Sequence, residues 1–216
     1  MWLVRGGLEH PVHSYNFRWT RSGKNVIPFL EGFNGNVIQS DGYAGYAGYD
    51  AAVNLWNEKH PEHKIELCNC NIHARRKFAD SVKATKSKTA EQAVRFYSKI
   101  FHEEKELREK YQKNLITEER YLELRRENVL PLFESFHEWL LEKSEREQIL
   151  GSSKTADAIK YTLGRWDKLI KFLNYSFVSP DTNAAERAVK PFVMARKNFL
   201  FQAAEKELKA HASCFL

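Results

Sequence analysis

From about Lys88 to Glu147 the chain reads as one long, charged, helical run, and this run splits the rest into two parts. Apolar residues recur at helical spacing at Val94, Tyr97, Ile100 and Phe101. They recur again at Val129, Leu132, Phe133, Phe136, Trp139 and Leu140. Charged residues fill the positions between them, as on helices with solvated faces. Pro131 belongs near a helix start or a kink, because it has no amide hydrogen to give. A block of this kind is an all-helical insertion, and it sets three segments: residues 1–82, 83–150 and 151–216.

The flanking segments alternate strands and helices. Trp2-Leu3-Val4 and Ser14 to Trp19 are strand-like, and Ser22-Gly23 marks a turn. Val26, Phe29, Leu30 and Phe33 have helical spacing. Val37-Ile38-Gln39-Ser40 then reads as a short apolar strand that ends in Asp41-Gly42. The triplet Ala44-Gly45-Tyr46 recurs as Ala47-Gly48-Tyr49, a local duplication rather than a repeat architecture. A helix is expected from about Ala51 to His60, a strand over Ile65 to Cys68, and a basic helix from about Ile72. After Gly151-Ser152-Ser153 a helix carries Ile159, Leu163, Trp166 and Leu169. The loop at Pro180 leads into a last helix with Glu186 one turn inside, which Pro191 is expected to end or kink. The overall expectation is an α/β fold.

The 216 residues are 43% hydrophobic and carry 34 Lys and Arg against 28 Asp and Glu, a net charge of +6. That is enough apolar material for a real core, and the excess of positive charge favours a polyanionic partner. Cys68, Cys70 and Cys214 form an odd set with no disulfide framework, as in a reducing cytoplasm. The N-terminus lacks the pattern of a signal peptide, and no run approaches the roughly 18 to 20 apolar residues of a membrane span. A cytoplasmic protein is expected. Both ends are apolar, from Trp2-Leu3-Val4 to Cys214-Phe215-Leu216, and a chain that opens in mid-strand reads as a fragment.

Two acids stand out. Asp41 at a strand's carboxyl end, beside a glycine, faces a cleft unobstructed and offers Mg²⁺ the hard oxygen it prefers. The plain alternative is an Asp-Gly turn. Glu186 is either a metal ligand or part of a capping box with Asn183 as its N-cap. Arg187, Lys190, Arg196 and Lys197 surround Glu186 in sequence, and Arg75, Arg76 and Lys77 form a second cluster. They are either contacts for DNA phosphates or ordinary solvated surface. Cys70-Asn71-Ile72-His73, with Cys68, His60 and His63 nearby, gives half of a zinc site, and no second Cys pair completes it. His73 is expected to orient the basic helix or to brace the Asp41 strand. Trp166 sits on an apolar stripe, as a core residue or as a platform for an unpaired base.

Four motifs occur in order: Ser40-Asp41-Gly42-Tyr43-Ala44-Gly45-Tyr46; Cys70-Asn71-Ile72-His73-Ala74-Arg75-Arg76-Lys77-Phe78; Asp181-Thr182-Asn183-Ala184-Ala185-Glu186-Arg187-Ala188; and Arg196-Lys197-Asn198-Phe199-Leu200-Phe201. Together they resemble the catalytic domain of bacterial transposases of the insertion sequence 66 type, over nearly the whole chain. The resemblance implies an RNase H-like fold whose D-D-E triad holds two Mg²⁺ or Mn²⁺ ions. It implies that Asp41 is the second Asp and Glu186 the final Glu, and that Cys70 and His73 support the site. It further implies cleavage at transposon ends and strand transfer into target DNA, with DNA, a second copy or an intact transposase as partner.

The departures define a further expectation. The first Asp of the triad belongs on a central strand that precedes Trp2, and the acids before Asp41 are Glu9 and Glu31, neither at a strand end. The mixed sheet is then expected to lack its first strand, and the catalytic set its first carboxylate. The family's N-terminal DNA-end-binding regions have no counterpart, and the C-terminal extension is short. Such a chain is a transposase fragment with an incomplete site, or a non-catalytic DNA-binding remnant that inhibits intact transposase. A helical interaction protein, whose acids are only caps and turns, is the third reading.

Overall fold

A computed structural model describes residues 2–6, 12–16, 20, 25, 28, 33–42, 47–149 and 153–198. The expected helix around Val26 to Phe33, the strand end at 17–19, Tyr43 to Tyr46 and the segment from Phe199 onward lie outside the described residues, save isolated positions. The chain forms two compact units. One comprises residues 1–37, 43–66 and 182–216, and the other comprises residues 38–42 and 67–181. The fold is mixed α/β and mostly helical. Among the described residues the strands make two small sheets of two strands each.

In the first unit, β1 (Trp2–Gly6) pairs antiparallel with β2 (Val12–Asn16), Leu3 opposite Tyr15 and Arg5 opposite His13. Helix α1 (Ala47–Lys59) follows, four residues earlier than its apolar spacing indicates. Its end is tied down locally. Asn57 accepts from the Ile65 amide at 2.7 Å and donates to the Ile65 carbonyl at 2.9 Å. Trp56 and His60 stack one turn apart at 3.9 Å. The last described helix, α8 (Asn183–Asn198), also belongs here, and Tyr15 donates its hydroxyl to the Ala188 carbonyl at 2.8 Å. Pro191 lies inside α8, and the helix runs seven residues beyond it. Proline removes one intrahelical bond. Of the expected end or kink, the end does not occur: the helix continues past Pro191.

Strands β3 (Val37–Ser40) and β4 (Glu66–Asn69) pair with each other. The Glu66 amide donates to the Asn36 carbonyl and the Cys70 amide to the Ser40 carbonyl. Both bonds step forward together along the two strands, so the pair is parallel.

The second unit is built on helices: α2 (Asn71–Thr85), α3 (Lys88–Gln112), α4 (Glu118–Leu124), α5 (Leu130–Ile149), α6 (Lys154–Leu163) and α7 (Trp166–Ile170). Hydroxyl caps set three of the starts. Ser87 accepts from the Ala90 amide, Thr117 from that of Arg120 and Ser153 from that of Ala156. Between α4 and α5 the helix widens to a π segment, Arg125–Val129, where the Leu130 amide reaches back to the Arg125 carbonyl. Pro131 follows directly. It cannot donate into the ladder, and the wide turn sits where a regular one would meet its ring. The core is aromatic: Phe78, Tyr97, Phe133, Phe136 and Phe172 are buried within 6.3 Å ring contacts of one another or of Trp166. Each such side chain contributes roughly 1.5–3 kcal/mol by leaving water. Among the described residues no helix is long and apolar enough to cross a membrane.

The charged faces of residues 88–147 are not all solvated. Arg125 is fully buried and uses all five of its N–H donors. Nε and Nη2 grip the Glu104 carboxylate at 3.0 and 2.6 Å. Nη1 donates to the carbonyls of Phe172 and Tyr175, and Nη2 to that of Val178. Tyr121 and Arg108 also donate to Glu104, and the Tyr121 ring lies under the guanidinium at 4.4 Å. This was read from the sequence as solvated charge. A buried carboxylate is tolerated here because one buried guanidinium and one half-buried one neutralise it.

Two outcomes follow from this core. Arg125→Met leaves the Glu104 carboxylate buried without its main partner, and stability to denaturant is expected to fall by about 3–5 kcal/mol. Adding Glu104→Leu recovers much of that loss. Equal stability of the single variant and the parent would show that the pair is dispensable. Burial also pushes the phenols of Tyr97 and Tyr121 well above their ordinary value of 10.0. In the unfolded chain both ionise near that value, whereas the folded chain keeps their protons. Their contribution is therefore complete below about pH 10 and declines as the pH rises further, by up to roughly 1.4 kcal/mol per pH unit per group. Tyr97→Phe should flatten the fall measured by urea unfolding at alkaline pH.

Candidate active site

Asp41 follows directly on β3, in the second unit, and is half-buried. Its backbone is held from several sides. The Ser40 carbonyl takes the Cys70 amide at 2.9 Å, and the Ser40 hydroxyl accepts from Asn69 at 3.1 Å. Gly42 turns the chain with φ at +67°, in the left-handed region. A Cβ there would stand 2.7 Å from the Tyr161 hydroxyl. That hydroxyl is shared between the carbonyls of Asp41 and Gly42, at 3.2 Å each. Glycine is thus required twice, by its dihedral and by the approach of Tyr161. The Asp-Gly turn and the presentation of the Asp41 carboxylate are one local structure.

Tyr161 carries two cations. Lys77 Nζ lies 4.5 Å from the ring centroid and the Arg165 guanidinium 4.2 Å. Burial raises the Tyr161 phenol pKa, Arg165 opposes this, and the Asp41 charge adds to it. Neither Tyr161 nor Arg165 is visible as a site residue in the sequence. Their signal is only the three-to-four-residue spacing that sets both on one side of a helical stretch.

Beside this turn, Cys70 is fully buried at the N-cap of α2, and its thiol makes no capping bond. Asn71 donates its amide to the Pro180 carbonyl and its side chain to the Leu169 carbonyl, both at 2.8 Å. Gln39 donates to the Ser179 carbonyl. The loop before Asp181 is thereby fastened to β3 and to the start of α2. His73 is half-buried in the first turn of α2, and Cys68 is buried on β4. Among the described residues no three His, Cys, Asp or Glu gather as a metal cluster. Further along α2, Arg75 is half-buried, and Arg76 and Lys77 are exposed. Trp166 lies in the aromatic core, stacked on His137 at 4.4 Å and edge-on to Phe133 at 5.8 Å.

Glu186 belongs to the first unit, in the first turn of α8, and is half-buried. Its amide donates to the Thr182 carbonyl at 3.0 Å, which puts Thr182 at the cap position and Asn183 first in the helix. The cap thus sits one residue earlier than the sequence pattern indicates. The Thr182 hydroxyl donates to Glu186 Oε1 at 3.5 Å. Arg187 and Lys190 are exposed on α8. Arg196 and Lys197 fall in its last turn, and their side chains lie outside the described residues.

The chain is basic and α/β, with Asp41 at a strand end and Glu186 at a helix start. The family described as Transposase IS66 family matches residues 1–210, and the chain belongs to it. Three relatives from Sinorhizobium fredii (strain NBRC 101917 / NGR234) are similar. Uncharacterized protein y4qI is 32% identical over 200 residues, covering 93% of this chain and 35% of the relative. Uncharacterized protein y4hP is 32% identical over 213 residues, with 93% and 36% covered. Uncharacterized protein y4jD is 32% identical over 195 residues, with 90% and 36% covered. The chain therefore spans about a third of the length of these relatives. No solved structure gives a significant match.

Gly42→Ala tests the turn. The positive φ and the 2.7 Å approach together are expected to cost about 1–3 kcal/mol. Adding Tyr161→Phe relieves the steric part and leaves the dihedral part. Thermal unfolding of the single and double variants separates the two, and an unchanged midpoint for Gly42→Ala would count against the described turn.

Proposed function

We propose that Asp41 and Glu186 are two carboxylates of a D-D-E set, borne on an RNase H-like mixed sheet with residues 83–150 as its helical insertion. In this reading residues 1–82 and 151–216 supply the two halves of the sheet-bearing core. The activity is cleavage of DNA strands at transposon ends and their transfer into target DNA, carried out in the cytoplasm. The supporting observation is the half-buried Asp41 at the end of a parallel strand, its peptide gripped by Tyr161. Family membership makes transposition the frame for that geometry.

The donor set fits a hard divalent cation such as Mg²⁺ or Mn²⁺, since both groups are carboxylates and both are partly accessible. Bound ions of this kind supply charge neutralisation at the attacked phosphate and at the departing oxygen. The chain's own residues do the rest. Asp41 and Glu186 would hold such ions through their carboxylate oxygens. Arg75 and Arg76 on α2, and Arg187, Lys190, Arg196 and Lys197 on α8, neutralise and orient DNA phosphates. Cys70, His73 and Asn183 support the segments that carry the two acids.

The resemblance calls for three carboxylates, and the 216 residues match two of them. This favours a second reading for the chain taken alone, as a DNA-binding element that assembles with, or inhibits, an intact transposase. The 216-residue chain is therefore expected to bind Mn²⁺ weakly and to nick DNA bearing terminal inverted repeats at background level. Asp41→Ala and Glu186→Ala should each abolish the residual Mn²⁺ binding seen by electron paramagnetic resonance. Robust nicking that Asp41→Ala eliminates would overturn the incomplete set. Mn²⁺ binding indifferent to both substitutions would overturn the metal role itself.

A further inference from the structure

Tyr161 stands at the meeting of two interactions that no motif in the chain announces. Its hydroxyl holds the Asp41–Gly42 backbone, and its ring carries Lys77 and Arg165. Two cations within 4.5 Å of one ring centroid are not a resting arrangement for a surface. The ring face attracts each of them, by about 0.5–2 kcal/mol depending on desolvation. They repel one another, and among the described residues neither forms a salt bridge with a carboxylate. Elsewhere the same unit does pair its cations: Arg108 and Arg125 with Glu104, Arg120 with Glu123 and Glu127, Lys105 with Glu109. The positive charge at Tyr161 has no salt-bridge partner among the described residues, and it lies next to the Asp41 peptide.

Geometry adds a direction. Lys77 is exposed on α2, and Arg165 is half-buried at the turn after α6, its Nε 3.4 Å from where a Gly42 Cβ would stand. An anion that reaches Arg165 therefore comes to rest beside residues 41 and 42, with Lys77 on the same tyrosine ring. The tyrosine hydroxyl donates to backbone carbonyls and not to the incoming group, which leaves the cations as the anion's ligands. A phosphodiester has the required charge. Its adjoining sugar and base also give an aromatic ring something to cover.

We propose that Lys77, Tyr161 and Arg165 form one seat for a DNA phosphodiester beside Asp41, with Tyr161 as the positioning residue that fixes both the cations and the Asp41 backbone. The seat deepens the reading of Asp41 as a metal ligand and rests on it for its purpose, though not for its chemistry. Two kinds of defect are then separable. Removing a cation weakens phosphate binding and spares the carboxylate. Removing only the tyrosine hydroxyl keeps the ring and its cations but loosens the peptide that presents Asp41.

The test uses the full 216-residue chain. Binding of a duplex oligonucleotide is followed by fluorescence anisotropy in EDTA, over a range of salt concentrations. Mn²⁺ binding without DNA is followed by electron paramagnetic resonance. Lys77→Gln and Arg165→Gln should each lower the magnitude of the slope of log affinity against log salt by about 0.9, and leave Mn²⁺ affinity unchanged. Tyr161→Phe should keep the salt slope and lower Mn²⁺ affinity roughly 10-fold, as loss of an outer support does. Lys105→Gln, on the far more exposed Lys105–Glu109 pair, should change neither. Each variant's thermal midpoint is measured, and Arg165→Lys and Tyr161→Trp serve as partial replacements if the first choices do not fold.

The outcomes divide cleanly. Unchanged salt slopes in Lys77→Gln and Arg165→Gln, with the parent binding DNA, sink the seat and leave the metal reading standing. Reduced slopes together with Mn²⁺ binding indifferent to Asp41→Ala sink the metal reading and leave the seat. A parent chain with no salt-dependent DNA binding overturns both.

Discussion

A single buried ion pair organises the second unit. Burying Arg125 and Glu104 removes two charges from water, a cost of several kcal/mol per ion even after relaxation. The unit offsets this by giving every guanidinium N–H an acceptor and by crowding the Glu104 oxygens with donors from Arg125, Arg108 and Tyr121. The acceptors are not interchangeable. Three of them are backbone carbonyls, at Phe172, Tyr175 and Val178, in the irregular stretch between α7 and α8. The Phe172 and Tyr175 carbonyls also accept the Tyr175 and Val178 amides, so Arg125 adds a second acceptor bond to each. Val178 takes Arg125 and, at 2.8 Å, Arg108.

The consequence runs on along the chain. With Val178 fixed, Ser179 receives the Gln39 side chain and Pro180 receives the Asn71 amide. Those bonds connect the loop to β3 and to the N-terminus of α2. Asp41 is two residues beyond Gln39, and its own peptide is closed off by Tyr161 from α6. The charged helices therefore do more than fill space. Through Arg125 they hold the loop that braces the strand carrying Asp41.

Much of this arrangement is legible in the sequence, and the parts that are not share a cause. The strands at Trp2, Val37 and Glu66, the long helices and the strand-end position of Asp41 follow from local periodicity. Periodicity is blind to the partner. Glu104 and Arg125 sit in runs so rich in charge that their helical faces read as solvated, although each faces the core. Nothing local separates Arg125 from Arg126, which is exposed. The π segment is foreshadowed only by Pro131, which marks a disturbance but not its form. Pro191 does not end α8, because one missing bond does not outweigh the helix on both sides of it. At the start of α8 the pattern Asn-x-x-Glu invites a box centred on Asn183, yet the first helical bond closes on Thr182. Tyr161 escapes notice because a tyrosine at helical spacing is ordinary core until its hydroxyl is seen to end on residues more than a hundred positions upstream.

The two electrostatic designs in the second unit are opposites, and the contrast carries the functional argument. Around Glu104 every charge is answered within the protein, the groups are buried, and the result is rigid. Around Tyr161 two positive charges lie within 4.5 Å of one ring centroid, at least one of them exposed to water, and the described residues provide no salt bridge to cancel them. A chain able to bury and neutralise a carboxylate with two arginines has the means to pair Lys77 and Arg165 as well. In the proposed seat these cations lie near the half-buried Asp41, whose charge is felt at the Tyr161 phenol. An anion is attracted by the first group and a cation by the second. A phosphodiester brought in with its counter-cation satisfies both at once, whereas either alone leaves one charge facing a repulsive neighbour.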